Sequence, residues 1–176
     1  MKHDNMPKYY SSVEEKINII SHAIGFVLSI IALTLLLTYS ILEADPWKIV
    51  SFTIYGISLI ILYAASALYH SAVKPHIRHR LKIFDHAAIF VLIAGTYTPF
   101  TLVVLNGAIG WLIFGISWGL AIIGVTLKLF FTGRFDIIST ILYVMMGWLI
   151  IFAINPLMDS LSTVGFRWLL TGGISY

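Results

Sequence analysis

Five long apolar runs, separated by short polar segments, dominate the pattern along this chain. Each run is close to or above the roughly 20 residues that an α-helix needs to cross a bilayer. The runs cover residues 17–39, 47–69, 84–105, 109–131 and 137–155. A sixth starts near Phe166 and is too short to cross before Tyr176, so we expect the sequence to be a fragment with a partial sixth span. The pattern predicts an all-α fold, a polytopic transmembrane helix bundle that forms a single membrane domain over residues 1–176.

The composition of the chain also indicates a membrane protein. Hydrophobic residues make up 59% of the 176 residues, charged residues make up 11%, and the mean hydropathy is +0.93. Because soluble domains carry about 25% charged residues, this composition excludes an ordinary soluble domain. The chain has no cysteine, which excludes disulfides and thiolate metal sites and leaves histidine, carboxylates and water as metal ligands.

Lysine and arginine residues are distributed unevenly between the two sides that these spans define. Positively charged loops stay in the cytoplasm, so we predict a multi-pass protein of the cell membrane with residues 1–16 as a retained, cytoplasmic N-terminus. The outer side carries only Lys48 and Arg167. The cytoplasmic side carries Lys2, Lys8, Lys16, Lys74, Arg78, Arg80, Lys82, Lys128 and Arg134. The sequence pI of 9.2 therefore reflects topology and contact with membrane lipid, and no nucleic-acid partner is expected.

Polar residues of unusual type collect at the cytoplasmic ends of the first three spans. Ionisable residues at a membrane span are costly, so function is their default interpretation. The spacing of the first three candidates, i, i+3 and i+7, places them on one helical stripe, and the next two lie four residues apart on another. The candidates, in chain order, are Glu15, Asn18, His22, Ser66, His70 and Asp85.

Each candidate also has a structural interpretation, which the residues alone leave open. Glu15 and Asn18 could cap or solvate the first turn of a helix. His70 could extend to the interface or bond a backbone carbonyl. Asp85, close to a helix start and to basic residues at 78, 80 and 82, could be an ordinary cap. The basic segment after the second span is interpreted as a loop, and its histidines, His76 and His79, are assigned no chemistry, nor is the histidine at position 3.

Two further features of the spans are interpreted as structural. Pro99 removes a backbone hydrogen bond within the third span, and we expect it to kink that helix near Gly95. Gly115 and Gly119 form a small-x-x-x-small pair in the fourth span, which predicts a close helix contact.

Three stretches of the chain are similar, in sequence and in order, to motifs of one protein family. They begin at Glu15, Ser66 and Asp85. They read Glu-x-x-Asn-x-x-Ser-His, Ser-Ala-Leu-Tyr-His-Ser, and Asp-His-Ala-Ala-Ile-Phe followed by Ala-Gly-Thr-Tyr-Thr-Pro-Phe. The chain resembles the hemolysin III family, a bacterial group related to the progestin and adipoQ receptors and, more distantly, to alkaline ceramidases. Members have seven spans, the last with a His-x-x-x-His pair, whereas no histidine follows His86 here.

The resemblance implies a zinc site on the cytoplasmic side. His70 would be one ligand, and the two histidines of the seventh span would be the others. Asp85 would hold the water bound to the metal, and Ser66 would hydrogen-bond near that water or near a substrate carbonyl. Three imidazoles leave a fourth position on zinc, where the pKa of bound water falls to about 7.

The chain departs from this pattern because it supplies only one histidine and one aspartate of the metal set. His22 or His86 could substitute for a missing ligand, although neither is favoured. If the missing ligands come from elsewhere, a longer chain or a second copy would supply them, and a homo-oligomer stays open.

Three function classes follow from these observations. A zinc-dependent intramembrane hydrolase would act on a lipid amide or ester that enters from the bilayer. A pore-forming cytolysin would require a polar stripe along whole spans, whereas the polar residues lie mainly at one end. A receptor or regulator of membrane state would use the same polar cluster to bind a lipid-like ligand without turnover. The sequence does not separate the enzyme from the receptor.

Overall fold

The computed structural model describes residues 10–131 and 136–175, and this part of the chain is helical and without strands. Five of its segments are long and apolar enough to cross a membrane, which confirms the predicted helix bundle. The helices are α1 (Ser12–Leu42), α2 (Pro46–Ser71), α3 (Pro75–Pro99), α4 (Gly107–Phe130), α5 (Asp136–Trp148), α6 (Ile154–Ser160) and α7 (Thr163–Ser175). Lys2, His3, Lys8 and Arg134, which entered the sequence-based predictions, lie outside the described residues, as does Tyr176.

The first three helices run up and down beside one another. Short connections at residues 43–45 and 72–74 reverse the chain, because Asp45 caps the start of α2 and Pro75 lies at the start of α3. Close contacts lie along the whole α1–α2 seam, where Gly56 faces Leu33 near the middle. Glu15 therefore lies near the end of α2, and the start of α3 joins them there. We call this end of the bundle, which carries Glu15, His70 and Arg78, the basic end.

Helices α3, α4 and α5 enclose the apolar core. Its buried residues include Phe90 and Ala94 from α3, Ala121 from α4 and Met146 from α5. Gly124 allows the Phe90 ring to lie directly against α4, since a methyl group at that position would overlap the ring. Small residues at such contacts let helices approach closely where no hydrophobic effect drives them together in lipid.

The close contacts of α4 differ from those predicted. A methyl group added at Gly115 or Gly119 would meet no described atom within 4 Å, so this pair makes no close contact among the described residues. The tight positions are instead Gly110, against the backbone of Thr101, and Gly124, against Phe90. The predicted close contact of Gly115 and Gly119 is therefore wrong, because the tight positions lie on the opposite face of α4, which also carries small residues.

The third span does not continue as an α-helix beyond Pro99. It passes into a π-helical segment, Phe100–Leu105, after an α-helix that runs through Gly95 to Pro99. The kink near Gly95 stays a prediction. Thr98 and Thr101 donate side-chain hydrogen bonds to carbonyls of the preceding turns, at 2.9 and 3.0 Å. These bonds go to the carbonyls of Ala94 and Tyr97, on either side of Gly95, whose carbonyl Pro99 cannot bond because it has no N–H.

The fifth span is also broken, between α5 and α6, by a 3₁₀ segment at Leu149–Ala153. The hydroxyl of Tyr97 bridges this break. It donates to the carbonyl of Gly147 and accepts from the amide of Ile150, both at 3.0 Å. A side chain of α3 thus satisfies backbone groups that the change of helix type leaves without a partner in their own helix.

The basic segment before the third span is helical, which corrects its interpretation as a loop. Helix α3 begins at Pro75, well before the predicted span start at Phe84. The predicted boundary followed the apolar run, but a proline at the first helical position and the contacts of Arg78 extend the helix into the polar region. His76 is exposed and His79 is half-buried on this extension.

Candidate functional site

The polar candidates of the first three helices lie together at the basic end. Helix α1 begins at Ser12 because Ser11 caps it and Glu14 completes the capping box, which puts Glu15 in the first turn. The last turn of α2 carries His70. Each of these residues lies close to the start of α3, so three helix ends contribute to one site.

The centre of the site is a group of three side chains, Glu15, His70 and Arg78. One carboxylate oxygen of Glu15 lies 2.8 Å from Nδ1 of His70, and the other accepts a hydrogen bond from Nη2 of Arg78. The backbone amide of Tyr10 also donates to Glu15, at 3.2 Å. The side chains of Arg78, His70 and Glu15 are 2%, 9% and 15% exposed, so the three groups interact away from bulk solvent.

Arg78 also closes the end of α2. Its Nη1 atom lies 3.3 Å from the carbonyl oxygens of Tyr69 and Ala72 and 3.4 Å from that of His70. The guanidinium carbon lies 4.7 Å from the centre of the Tyr69 ring. The last carbonyls of a helix lack partners within the helix and carry partial negative charge, so a buried guanidinium both satisfies and neutralises them.

His22 stacks on His70 from α1. The two ring centres are 5.8 Å apart and the planes differ by 12°. Nδ1 of His22 is buried and has no hydrogen-bond partner among the described residues. The carboxylate of Asp85 lies near enough to His22 to interact with it electrostatically.

The remaining candidates are near the site without a described contact to its centre. Ser66 is buried one turn before His70 on α2, and Asn18 is half-buried one turn after Glu15 on α1. Asp85 is half-buried two turns beyond Arg78 on α3. The backbone carbonyl of His86 accepts the hydroxyl of Tyr143 at 2.9 Å. The structure thus places Glu15 and His22 beside His70, and no described hydrogen bond joins Asn18, Ser66 or Asp85 to these three side chains.

The sequence of this chain is similar to known proteins of one family. The family model described as "Haemolysin-III related" matches residues 10–176. The chain belongs to the haemolysin-III-related family. It is 48% identical over 163 residues to the "Hemolysin-3 homolog" of Bacillus subtilis (strain 168), covering 93% of the chain and 76% of that protein. It is 46% identical over 174 residues to "Hemolysin-3" of Bacillus cereus, covering 98% of the chain and 80% of that protein. No solved structure matches the chain significantly.

Membership of the haemolysin-III-related family makes the fit of a zinc ion worth testing against the structure. A metal-binding histidine normally donates its other ring N–H to a carboxylate or carbonyl, and the 2.8 Å contact between Nδ1 of His70 and Glu15 has the geometry that such a bond requires. Catalytic zinc needs three protein ligands, but no three histidine, aspartate or glutamate side chains converge to hold a metal within residues 10–131 and 136–175. The described residues therefore fit part of a zinc site and do not complete it.

Arg78 is the residue of this site that sequence reasoning missed. It was counted as one of several loop cations that set topology and as one of the basic residues near Asp85. A helix-start signal was available, because Pro75 at the first position of α3 places Arg78 within the first turn. The sequence carried no signal, however, that this arginine rather than Arg80 would be buried against Glu15.

Proposed function

We propose that the basic end holds the functional centre of a zinc-dependent intramembrane hydrolase that cleaves a lipid amide or ester. The observation that carries this proposal is the hydrogen bond between Glu15 and Nδ1 of His70, at 2.8 Å. It directs the opposite ring nitrogen, Nε2, away from the carboxylate as the nitrogen that binds metal. A site between helix ends at the membrane surface suits a substrate that enters from lipid and reacts with water.

Three residues of the chain would each have a separate role in hydrolysis. His70 would bind the metal through Nε2. Asp85, half-buried on α3, would accept a proton from water. Ser66, buried one turn from His70, would donate a hydrogen bond to the substrate carbonyl. Zinc, when bound, would polarise that carbonyl and acidify water.

The remaining zinc ligands belong to residues other than those described. His22 is an unfavourable ligand partner for His70, because stacked rings direct their nitrogens side by side and not at one point. A further segment of chain or a second copy would supply the missing imidazoles. In this proposal, the described residues bind zinc weakly by themselves.

The orientation belongs to the same proposal, with the basic end in the cytoplasm. Lys16, Lys74 and Arg80 are exposed there and would contact the anionic head groups of that leaflet. At the opposite end, Lys48 is paired with Glu43 and lies beside Asp45, so little positive charge is free. This asymmetry follows the positive-inside rule.

Zinc binding by the chain in detergent, measured by competition with a chromogenic chelator, tests the metal part of the proposal. We expect His70→Ala to bind zinc more weakly than the wild type. His79→Ala, which removes a half-buried histidine from α3, is the matched control and should bind as the wild type does. Equal affinities for the wild type and His70→Ala would remove His70 from the ligands. Elemental analysis of the longer Bacillus subtilis relative, purified without chelator, gives the stoichiometry.

Hydrolysis of fluorogenic lipid amides and esters tests the catalytic part. We expect Asp85→Asn to keep zinc affinity and helix content but to abolish turnover, since an amide cannot accept the proton. If hydrolysis survived this substitution, another group would have to activate the water.

A second candidate function is a receptor or regulator of membrane state without turnover. It is favoured by the incomplete set of metal-capable side chains among the described residues. Binding of a lipid-like ligand that perturbs the His70 ring, with no hydrolysis by wild type or relative, would support it. A cytolytic pore is less well supported, because buried serines such as Ser29 and Ser40 bond carbonyls of their own helix.

A further inference from the structure

The ring of His70 is held by a carboxylate that is itself held in place. When ionised, a carboxylate only accepts hydrogen bonds, so the 2.8 Å contact between Glu15 and Nδ1 of His70 requires a proton on Nδ1. A neutral imidazole carries one N–H and one lone pair. The lone pair then lies on Nε2, and no described residue bonds that nitrogen.

Arg78 holds the carboxylate of Glu15 in position. Its guanidinium bonds the second carboxylate oxygen of Glu15, and it is fixed in turn by three carbonyls at the end of α2. Arginine does not deprotonate in proteins. The charge facing Glu15 is therefore permanent, and its position is set by the backbone of the same helix that carries His70.

The plane of the His70 ring is held by aromatic neighbours. His22 lies parallel to it at 5.8 Å, while the rings of Tyr69 and Tyr10 lie at 4.7 and 5.8 Å. These contacts oppose rotation of the ring, so Nδ1 stays on the side of Glu15.

We propose that Glu15, braced by Arg78, is a positioning residue that fixes His70 in the Nδ1–H tautomer and so makes Nε2 the nitrogen that binds metal or accepts a proton. The tautomer itself stands on the contacts above. Only the task of Nε2 rests on the proposed function. The hydrogen bond on one ring nitrogen commonly sets which nitrogen is free.

Nitrogen-15 NMR of labelled histidine, in the full chain in lipid nanodiscs, tests the tautomer without metal or substrate. The His70 signals are assigned by their loss in His70→Asn, and spectra are compared at a pH at which they show the ring to be neutral. We expect the wild type to carry its proton on Nδ1. Glu15→Gln should keep this tautomer, because the amide oxygen still accepts from Nδ1–H. Glu15→Ala should populate the Nε2–H tautomer.

Glu14→Gln is the matched control, since Glu14 is the neighbouring carboxylate and bonds the backbone amide of Ser11. It should leave the His70 signals unchanged. Protonation of Nε2 in the wild type, or a ring that stays doubly protonated throughout, would overturn the inference even if every Glu15 variant failed to fold. An unchanged tautomer in folded Glu15→Ala would overturn it too, because a merely structural carboxylate would not affect the ring proton.

Zinc affinity separates this inference from the proposed function. If both hold, Glu15→Ala should bind zinc about 10- to 100-fold more weakly, as is usual when the partner of a ligating histidine is removed. If the wild type and its longer relative bind no zinc but the tautomer pattern is as expected, the zinc proposal fails and the positioning role of Glu15 stands. If zinc binds as proposed and the tautomer does not depend on Glu15, the positioning role fails alone.

Discussion

Acidic and basic side chains meet at both ends of the α1–α2 pair, and the two groups differ in burial and in the separation of their members along the chain. At the basic end Glu15 bonds Arg78 and His70. At the opposite end Glu43 bonds Lys48 across the tight connection between the helices. The side chains of Arg78 and Glu15 are 2% and 15% exposed, whereas those of Lys48 and Glu43 are 28% and 34% exposed.

The two groups also join different distances along the chain. Glu43 and Lys48 are five residues apart, so their contact follows from the local turn. Glu15 is separated by 55 residues from His70 and by 63 from Arg78, so its contacts exist only when three helices have packed. Exposed ion pairs contribute little stability, while an unpaired buried charge is very costly. The same residue types therefore form a local, partly exposed ion pair at one end and join three helices at the other.

Arg78→Ala should produce the largest effect. It leaves Glu15 without its guanidinium and the end of α2 without its donor, and breaking a buried pair costs about 3–5 kcal/mol. The free energy of unfolding, measured by SDS titration in mixed micelles, should fall by this amount. Arg80→Ala, an exposed arginine on the same helix, is the matched control and should change little. Equal losses in the two variants would mean that burial does not distinguish these arginines.

Tyr97→Phe should produce an intermediate effect, because it removes a neutral but long-range contact. The hydroxyl bridges Gly147 and Ile150 across the break in the fifth span. Its loss leaves the Gly147 carbonyl and the Ile150 amide without this partner inside an apolar span, which costs about 1–3 kcal/mol. The same titration measures it, with Tyr39→Phe as the control, since that substitution also removes a tyrosine hydroxyl, one that bonds Glu43 at an exposed position of α1. A Tyr97 variant as stable as the control would show that other groups satisfy the break.

Lys48→Gln should produce the smallest effect, within the error of the unfolding measurement. The hydrogen bond from Lys48 lowers the pKa of Glu43, so any stabilisation is present above the pKa of the unfolded carboxyl and is lost as pH falls through the folded pKa. Salt should weaken it further. A loss for Lys48→Gln comparable to that for Arg78→Ala, persisting in high salt, would contradict the comparison.

The five membrane spans could be predicted because each depends on a local property of the sequence. A run of about 20 apolar residues has a single favourable arrangement in a bilayer, a helix with its own backbone bonds satisfied. The predicted span limits were less accurate where the apolar run and the helix do not begin or end at the same residue. Helix α3 extends to Pro75 through polar residues, and the fifth span changes helix type at Leu149 inside an apolar run.

The candidate site was predicted in part for the same reason. Glu15, His22 and His70 were selected because polar residues stand out at span ends, and the structure brings them into contact. The zinc site, the role of Asp85 and the role of Ser66 came from resemblance and stay predictions. Arg78 resembles any other cation of a basic segment until α3 packs against α2 and buries it.

The sequence by itself determined that this protein is a multi-span helical membrane protein, since the length and hydropathy of each run are set by residues close together in the chain. It also determined which residues are chemically unusual at the span ends. Only the tertiary structure decided which of them share a hydrogen bond, which arginine is buried, and which ring nitrogen of His70 faces Glu15. Those facts depend on the rotation and depth of each helix against its neighbours, which arise from contacts between residues far apart in the chain.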